Sequence, residues 1–534
     1  MSVNWVIGMP KGGFRKIRVL AKRFWLSATS TSDYWLTRFV FLRILGIVYI
    51  FGFLSLAHQV VPLVGSNGLL PADNYLDAIG SRFDLKLDAF MEFPTIFWFH
   101  LSDTFLSILA WAGVLLSLVV VMGFANVPIL FVMWALYFSF VSIGQVWYGY
   151  GWEIQLLETG FLAMFVVPLV DPRPFPKFPP PVPVIWLLRW LAFRIYLGSG
   201  LIKIRHDLCW QDLTCLVYHY ETQPIPNPLS PWFHFMPQWF HKVGVALSHF
   251  AQLFVPFLIL GPRQIRHFAG IVIVSYQLLL IIGGNYQLLN WITIAPAIAL
   301  FDDRFLRRFL PGWLTAKADN AAKAAASAKP RKLAQVVPLF LLIVAIWLSL
   351  PVISNLLSPG QAMNTSFNRL NLVNTYGAFG SVTKERYELI IQGTASSVIT
   401  SETVWKEYEF KAKPGNVSRH LPIVAPYQYK IDWQMWFAAM QRSEHNPWLI
   451  NLVWKLLHND KSTLSLLAYN PFQNEPPKYI RIEFYRYKFL PPARTSNETA
   501  IWNRTRIGTW LVPLSKDTPR FKELIAANRW DTYD

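Results

Sequence analysis

Charged residues are scarce in this chain of 534 residues. Asp, Glu, Lys and Arg make up 15% of it, against about a quarter in a typical soluble protein. Hydrophobic residues make up 53%, and the mean hydropathy is +0.31. Long runs carry almost no charge, which excludes an ordinary soluble globular protein. We therefore expect an α-helical protein that crosses the membrane several times.

Acidic residues are fewer than basic ones, and the formal net charge is +18. A basic protein can bind nucleic acid, but no nucleic-acid-binding motif accompanies these basic residues. They lie mostly at one end of the predicted membrane helices, so we expect the lipid bilayer, and no nucleic acid, as a partner. The first 30 residues lack the compact apolar core of a cleavable signal peptide, so the first span is expected to act as an uncleaved anchor.

The chain has only two cysteines, Cys209 and Cys215, with five residues between them in CWQDLTC. In an oxidising compartment this pair favours a local disulfide, with two free thiols as the alternative. A zinc site would need further ligands, and the nearby histidines have no motif spacing. Nucleophile elbows, phosphate loops, HExxH and dinucleotide fingerprints are missing too, and we expect no cofactor and no metal.

Apolar segments of about 20 residues, long enough to cross a bilayer, recur along the chain. We predict about nine spans, near residues 39–64, 104–123, 127–147, 153–170, 184–202, 243–261, 267–283, 287–301 and 334–357. The chain then divides into a basic N-terminal segment, a membrane domain, an alanine- and lysine-rich linker, a final span and a soluble domain. These are residues 1–33, 34–310, 311–333, 334–358 and 359–534.

Basic residues distinguish the two sides of the predicted membrane domain. Starting from a cytoplasmic N-terminus, the cytoplasmic segments hold 20 Lys and Arg, and the opposite short loops hold five. Cytoplasmic loops carry the excess of Lys and Arg in membrane proteins. The distribution predicts a cytoplasmic N-terminus and linker, and nine spans then place residues 359–534 outside the cytoplasm.

The soluble domain has the patterns of a β-rich α+β fold. YELIIQG (387–393), VWKEYEFKAK (404–413) and YIRIEFYRYKF (479–489) alternate polar and apolar residues, as strands do. HNPWLINLVWKLLH (445–458) has helical spacing and starts with Asn-Pro. Glycosylation sequons are present at four asparagines of this region, Asn364, Asn416, Asn497 and Asn503.

Charges inside predicted spans are costly and usually face the protein interior. Glu153 and Glu158 lie in the fourth span, and Arg194 and Lys203 lie in the fifth. Glu158 and Arg194 enter from the same side at similar depth, so we predict that they form an ion pair. Lys203 is expected to point toward Glu153 at the interface, where snorkelling of the lysine to water is the alternative.

A polar loop, residues 203–241, follows the fifth span and contains both cysteines. We expect a functional site on this outer face of the membrane domain. Its candidate residues come from the two spans, from this loop and from the turn after the seventh span: Glu153, Tyr196, Lys203, Asp207, Trp210, Asn285 and Tyr286.

Long, unusual segments resemble the lipase maturation factor family along nearly the whole chain. They are SDYWLTRFVFLR (32–43), VGSNGLLPA (64–72), GWEIQLLETGFLA (151–163), CWQDLTCLVYHYETQPIPNPLS (209–230), GGNYQLLNWITI (283–294), VAPYQYKIDWQMWFAA (424–439) and PPKYIRIEFYRYKF (476–489). The resemblance implies a non-enzymatic protein of the endoplasmic reticulum membrane, or of the inner membrane in a bacterium. Its C-terminal domain would face the lumen or periplasm and help to engage a client, a secreted lipase.

The membrane half is similar, more loosely, to the membrane domain of vitamin K-dependent gamma-carboxylase. GSGLIKIRHDLCWQD places Lys203, Asp207 and Trp210 in comparable positions. That likeness implies an alternative, a membrane enzyme on a lipid-soluble substrate, with Lys203 as base and Glu153 or Glu158 as its partner. A structural subunit of a larger complex is a third possibility.

Overall fold

The computed structural model describes residues 33–327, 332–441, 445–492, 500–531 and 533, with the backbone alone for 332–335. Within these ranges, the membrane half consists of helices and the loops between them. Its helices are α1 (Trp35–Val64), α2 (Ala72–Gly80), α3 (Lys86–Glu92), α4 (Asp103–Met122), α5 (Val127–Ile143), α6 (Gly151–Ala163), α7 (Val182–His206), α8 (Leu208–Gln211), α9 (Cys215–Thr222), α10 (Ser230–His234), α11 (Gln238–His249), α12 (Val255–Leu258), α13 (Arg263–Gly283), α14 (Leu288–Ala297), α15 (Asp303–Leu306), α16 (Gly312–Ala326) and α17 (Lys332–Leu357).

Five of these helices are long and apolar enough to cross a membrane: α1, α4, α7, α13 and α17. The four other predicted spans form shorter helices. For example, α6 has 13 residues, about 20 Å of helix, against a bilayer core of about 30 Å. The segment predicted as span 243–261 is divided among α11, a π-helical turn (Phe250–Phe254) and α12. The nine-span count therefore stays a prediction.

The membrane helices pack closely through small residues. A Cβ atom at Gly113 of α4 would lie 2.2 Å from the Phe53 ring of α1, so the glycine allows the two helices to approach. The N-terminus of α1 is capped by Asp303, whose carboxylate accepts hydrogen bonds from the N–H groups of Trp35 and Leu36 at 3.0 and 2.8 Å. This carboxylate satisfies backbone donors that the helix leaves without partners.

The C-terminal half contains strands and helices. Its elements are β1 (Arg386–Thr394), β2 (Lys406–Glu407), β3 (Glu409–Phe410), α18 (Lys430–Ala438), α19 (Pro447–Leu457), α20 (Lys461–Leu464), β4 (Leu467–Tyr469), β5 (Tyr479–Phe489), β6 (Trp502–Leu514) and α21 (Pro519–Ala527). The strands form an antiparallel four-stranded sheet of order β2-β1-β5-β6 and a small β3-β4 pair. The predicted strands 387–393 and 479–489 pair with each other. The predicted strand 404–413 is divided into β2 and β3, because its two ends pair with different strands.

The linker and the last span differ from a simple flexible connection. The described part of the linker forms α16, which buries Leu314, Ala318 and Ala321. Helix α17 packs on α7, where Trp190 Nε1 donates to Ser349 Oγ at 2.9 Å. The C-terminal domain also packs directly on the membrane helices, and one hydrophobic core runs through both. The C-terminal domain is therefore held on the membrane half by packing contacts as well as by the last span.

Candidate functional site

A cavity of about 280 Å³ opens beside Lys203, between α7, α11 and α13. We call it the Lys203 cavity. Its walls are mostly apolar and aromatic. Its polar side chains come from five helices, a π-helical turn and a loop: Tyr196, Ser199, Lys203, His219, Tyr220, Ser248, Gln252, Tyr276, Gln277, Tyr286, Asn290 and Thr293. A mostly apolar cavity with a few convergent polar groups is the usual form of a ligand site.

Lys203 is buried in this cavity, with 5% of its surface exposed. Its Nζ donates to Gln252 Oε1 at 3.0 Å and to Ser248 Oγ at 3.3 Å, and it lies 4.5 Å from the centre of the Trp210 ring. The predicted approach of Lys203 to Glu153 is wrong, and so is its snorkelling to water. Neither expectation took account of Ser248 and Gln252 in the next apolar segment, which are the hydrogen-bond partners of Lys203.

The polar partners of Lys203 are held by unusual local structure. Gln252 lies in the π-helical turn Phe250–Phe254, a distortion that is frequent at functional sites. Gly200 lets α7 approach this turn, because a Cβ atom there would lie 2.9 Å from the Gln252 carbonyl oxygen. Ser248 and Tyr276 hydroxyls lie 2.9 Å apart and extend the polar cluster.

Two further polar pairs line the cavity. Gln277 Nε2 donates to the Tyr196 hydroxyl at 2.7 Å, and His219 Nε2 lies 2.8 Å from the Tyr286 hydroxyl. Burial, and secondarily Lys203, lower the pKa of His219 to about 3, so this histidine is neutral at physiological pH. Tyr196 and Tyr286 were predicted from the sequence as site residues, whereas Gln277 and His219 were not. Gln277 was visible as a polar residue inside an apolar segment, whereas His219 lies in the polar loop, where a histidine gives no such signal.

The loop that contains both cysteines, residues 203–241, lies at one side of the cavity, and we call it the cysteine loop. Cys209 and Cys215 form a disulfide with a Cα–Cα distance of 4.7 Å. Asp207 accepts hydrogen bonds from the N–H groups of Cys209 and Val382 at 3.0 and 3.1 Å, and Trp210 Nε1 donates to the Phe379 carbonyl at 3.0 Å. Asp207 therefore joins the loop to the C-terminal half and does not line the cavity.

Asn285 also lies outside the cavity. Its Nδ2 donates to the Pro422 carbonyl at 2.8 Å, and its Oδ1 accepts from the Val424 N–H at 2.9 Å. The predicted outer-face residues are therefore divided between two places. Tyr196, Lys203, Trp210 and Tyr286 line the cavity, whereas Asp207, Asn285 and Glu153 contact the C-terminal domain.

Glu153 is fully buried and pairs with Lys430 of α18, whose Nζ lies 2.6 Å from its Oε1. Trp152 Nε1 donates to the same oxygen at 3.1 Å, and the Tyr137 hydroxyl donates to the other. Burial lowers the pKa of Lys430, and the neighbouring Glu153 opposes that effect. This ion pair joins the two halves of the molecule.

Glu158 and Arg194 are in contact between α6 and α7, and both are almost fully buried. Glu158 Oε2 also accepts hydrogen bonds from the Tyr376 hydroxyl at 2.7 Å and the Asn374 N–H at 3.0 Å. Arg194 Nη1 in turn donates to the Asn374 carbonyl at 2.6 Å. Residues that follow the last span thus complete a charge pair within the membrane half.

A third buried cluster lies where β1 meets the cysteine loop. Arg386 Nη1 donates to the Glu221 carbonyl and Nη2 to the Pro224 carbonyl, each at 3.0 Å. Glu388 accepts from Arg386 Nε at 2.9 Å, and its other oxygen lies 2.8 Å from Lys413 Nζ. The C-terminal domain is therefore anchored by buried charges at three places.

The chain matches two family models, the lipase maturation factor transmembrane domain over residues 36–308 and the lipase maturation factor C-terminal domain over residues 372–513. It is 46% identical to lipase maturation factor 1 of Bos taurus, over 91% of this chain and 90% of that protein. It is 45% identical to lipase maturation factor 1 of Homo sapiens, over 92% and 90%. Identity to lipase maturation factor 2 of Homo sapiens is 29%, over 92% and 84%. No solved structure matches the chain. The chain belongs to the lipase maturation factor family.

Proposed function

We propose that this protein is a membrane-embedded maturation factor that assists secreted lipases, or related translocated clients, to reach their active form. The single observation that carries the proposal is the match to both family domains, with 45–46% identity to proteins named lipase maturation factor 1 over nine-tenths of both chains. The five long apolar helices support a location in the membrane.

The C-terminal domain is proposed to face the lumen of the endoplasmic reticulum, or the periplasm in a bacterium, and to help engage the client. The excess of basic residues on the opposite side supports this orientation. The disulfide between Cys209 and Cys215 is also in keeping with an oxidising compartment.

The protein is proposed to act without catalysis. Among the described residues, Lys203 has neither Glu153 nor Glu158 as a partner, and each glutamate is held in an ion pair of its own. This arrangement counts against the alternative in which Lys203 is a base assisted by one of these carboxylates. Lys203→Arg separates the two possibilities, because arginine keeps the positive charge but cannot serve as a base near neutral pH. If Lys203 acted as a catalytic base, a folded Lys203→Arg variant should lose all function.

The test is expression in lipase-secreting cells that lack their own maturation factor. We expect the specific activity of the secreted lipase, its activity per mass of lipase antigen, to rise when this chain is supplied. Unchanged specific activity at equal expression would contradict the proposal. Deleting residues 359–534 is a poor control, because Glu158, Glu153 and Asp207 would lose buried partners and the membrane half would misfold.

Photocrosslinking tests client engagement without removing the domain. A photoreactive amino acid is placed at exposed positions of the C-terminal domain, such as Val404, Ile423 and Val512. Matched positions on the side assigned to the cytoplasm are Phe309 and Trp313, which are equally exposed. We expect the lipase to crosslink to the first set and not to the second. A structural subunit of a larger complex would instead crosslink to other resident membrane proteins and leave the lipase unlabelled.

A further inference from the structure

The Lys203 cavity opens to the molecular surface between α11 and α13. Its lining includes Val243 and Leu247 of α11 and Leu279 and Ile282 of α13. These four side chains are 60%, 38%, 52% and 46% exposed. The rim between α11 and α13 is therefore apolar, and α13 is one of the five helices able to cross a membrane. An apolar rim favours a ligand that enters from the bilayer, because a polar solute would gain nothing from contact with it.

Within the described ranges, the interior of the cavity contains buried hydrogen-bond donors that lack a full set of acceptors, together with one buried acceptor, Gln277 Oε1, that lacks a donor. An ammonium group has three N–H donors, and Lys203 Nζ has two hydrogen-bond acceptors, of which Ser248 Oγ is distant at 3.3 Å. Asn290 lines the same cavity and is 2% exposed, and its Nδ2 has no hydrogen-bond partner within the described ranges. Buried polar groups are rarely left in this condition.

Lys203 also lacks a carboxylate partner in the part of the chain that the structure describes. None of the described carboxylates lies within ion-pair distance of it, whereas Glu153, Glu158 and Glu388 each have a basic partner. A buried charge normally has a counter-charge. The unpaired donors and the apolar entrance both indicate an elongated apolar ligand that ends in an anionic oxygen group.

We propose that the Lys203 cavity binds a single-chain long-chain carboxylate, that is, a fatty acid drawn from the bilayer. The carboxylate lies on Lys203 Nζ, with Asn290 Nδ2 as a second donor, and the acyl chain leaves between α11 and α13. The single positive charge of an ammonium at Lys203 balances the single negative charge of one carboxylate. The volume of about 280 Å³ lies just below the usual range of ligand sites, roughly 300–1,000 Å³, and accommodates one chain better than the two of a phospholipid. This inference does not depend on the lipase-maturation function.

Photolabelling of the full chain in phosphatidylcholine nanodiscs tests the proposal. The probe is a palmitic acid that carries a diazirine near the end of its chain. We expect labelled peptides to map to residues 243–247 and 279–282, and oleate to compete for labelling. Methyl oleate, which has the same chain but no charge, should need at least a tenfold higher concentration, because it cannot form a charge-assisted hydrogen bond. Equal competition by the two compounds would overturn the assignment of the head group.

Variants test the position of the ligand. Lys203→Met should reduce labelling at least tenfold, and Lys242→Met on exposed α11 surface is the matched control and should leave it unchanged. Leu247→Trp narrows the rim without touching Lys203, so it tests the site even where Lys203→Met lowers the yield of folded protein. It should reduce labelling to a similar extent. Labelling that survives Leu247→Trp, or that spreads evenly over bilayer-facing residues such as Phe254, would exclude a ligand in this cavity.

Discussion

Lys430 of the C-terminal domain extends into the membrane half, where its ammonium lies 2.6 Å from a carboxylate oxygen of Glu153. The side chains are 1% and 0% exposed, and the ammonium also lies 3.7 Å from the centre of the Tyr148 ring. Removing one member of a buried pair leaves an uncompensated charge and destabilises proteins by about 3–5 kcal/mol. We expect Lys430→Met to lower the Tm sharply in thermal unfolding followed by fluorescence.

The matched control is Lys522→Met, whose amine is largely exposed and whose loss should change the Tm little. The double variant Glu153→Gln with Lys430→Met removes both charges and should recover part of the loss. If the double variant is no more stable than Lys430→Met alone, the buried charge of Glu153 is not the cause of the destabilisation.

The Glu158–Arg194 pair leads to a second prediction. Glu158→Gln and Arg194→Gln should each lower the amount of folded protein, because each leaves one charge buried. From sequence alone, exchanging the two residues is expected to restore part of that loss. The hydrogen bonds from Tyr376 and the Asn374 N–H to Glu158 alter this expectation, since an arginine at 158 would face two donors.

We therefore expect the exchange Glu158→Arg with Arg194→Glu to restore little folded protein, measured by fluorescence-detected size-exclusion chromatography. The double variant Glu158→Gln with Arg194→Gln, which keeps a side chain able to accept those donors, should restore more. Recovery by the exchange and not by the double glutamine variant would contradict the described environment of Glu158.

His219 predicts a loss of stability in mild acid. Burial lowers its pKa to about 3, and the unfolded chain has a value of about 6.5. A base with a lowered folded-state pKa stabilises the fold above its unfolded pKa, and that contribution declines as the pH falls. Between pH 7.5 and 5.5 the loss is about 1.4 kcal/mol. Thermal unfolding at the two pH values should show it.

The comparison variant is His219→Gln, which keeps a polar group near the Tyr286 hydroxyl but cannot be charged. The fall in Tm between pH 7.5 and 5.5 should be smaller in this variant than in the native chain, whatever other groups titrate. An identical fall in both proteins would mean that His219 is not protonated on unfolding in this range.

The charge distribution predicts the orientation of the chain. Single cysteines at Val404 and Ile423 should react with a membrane-impermeant maleimide from the extracytoplasmic side of sealed vesicles. Cysteines at Phe309 and Trp313 should not. All four positions are well exposed, so exposure does not explain a difference. Cys209 and Cys215 are held in a disulfide and should not react. Labelling of both sets, or the reverse pattern, would discard the predicted topology.

Glycosylation gives an independent measurement of the same orientation in a host that adds N-linked glycans. Asn416 and Asn503 are exposed in the C-terminal domain, so each should carry a glycan. Asn364 follows α17 closely and is expected to remain unmodified near the membrane, and Asn497 lies outside the described residues. Removal of glycans by an endoglycosidase should shift the apparent mass, and Asn416→Gln and Asn503→Gln should each remove part of that shift.

Local patterns in the sequence predicted much of the fold. Alternation along 387–393 and 479–489 predicted β1 and β5, although β1 is buried on both faces and only β5 partly alternates between buried and less buried residues. Charges in apolar segments drew attention to Glu158 and Arg194, since such charges rarely face lipid. Both inferences rest on residues near one another along the chain or on adjacent spans.

The partner of Glu153 could not be found in this way. Lys430 lies 277 residues further along the chain, and no periodicity relates the two positions. Asn374 and Tyr376, which contact Glu158, are likewise far from it along the chain, and no periodicity relates them to it. The polar lining of the Lys203 cavity is different, because Ser248 and Gln252 were visible as polar residues four apart in an apolar segment. The cost of burying a group in an apolar segment applies to such uncharged polar residues as well as to charges.

The hydrogen bonds from Asn374 and Tyr376 to Glu158 have a consequence for biosynthesis. Arg194 and Glu158 are inserted while the ribosome still has to make about 180 residues before Asn374 is complete. At roughly 5–20 residues per second, the pair waits about 10–35 s without these partners. Throughout that interval the nascent membrane half carries incompletely satisfied charges, so the cell's quality-control machinery can recognise it as unfinished. We expect chains that terminate between residues 358 and 373 to remain in this state and to be degraded, even though every predicted membrane span has been made.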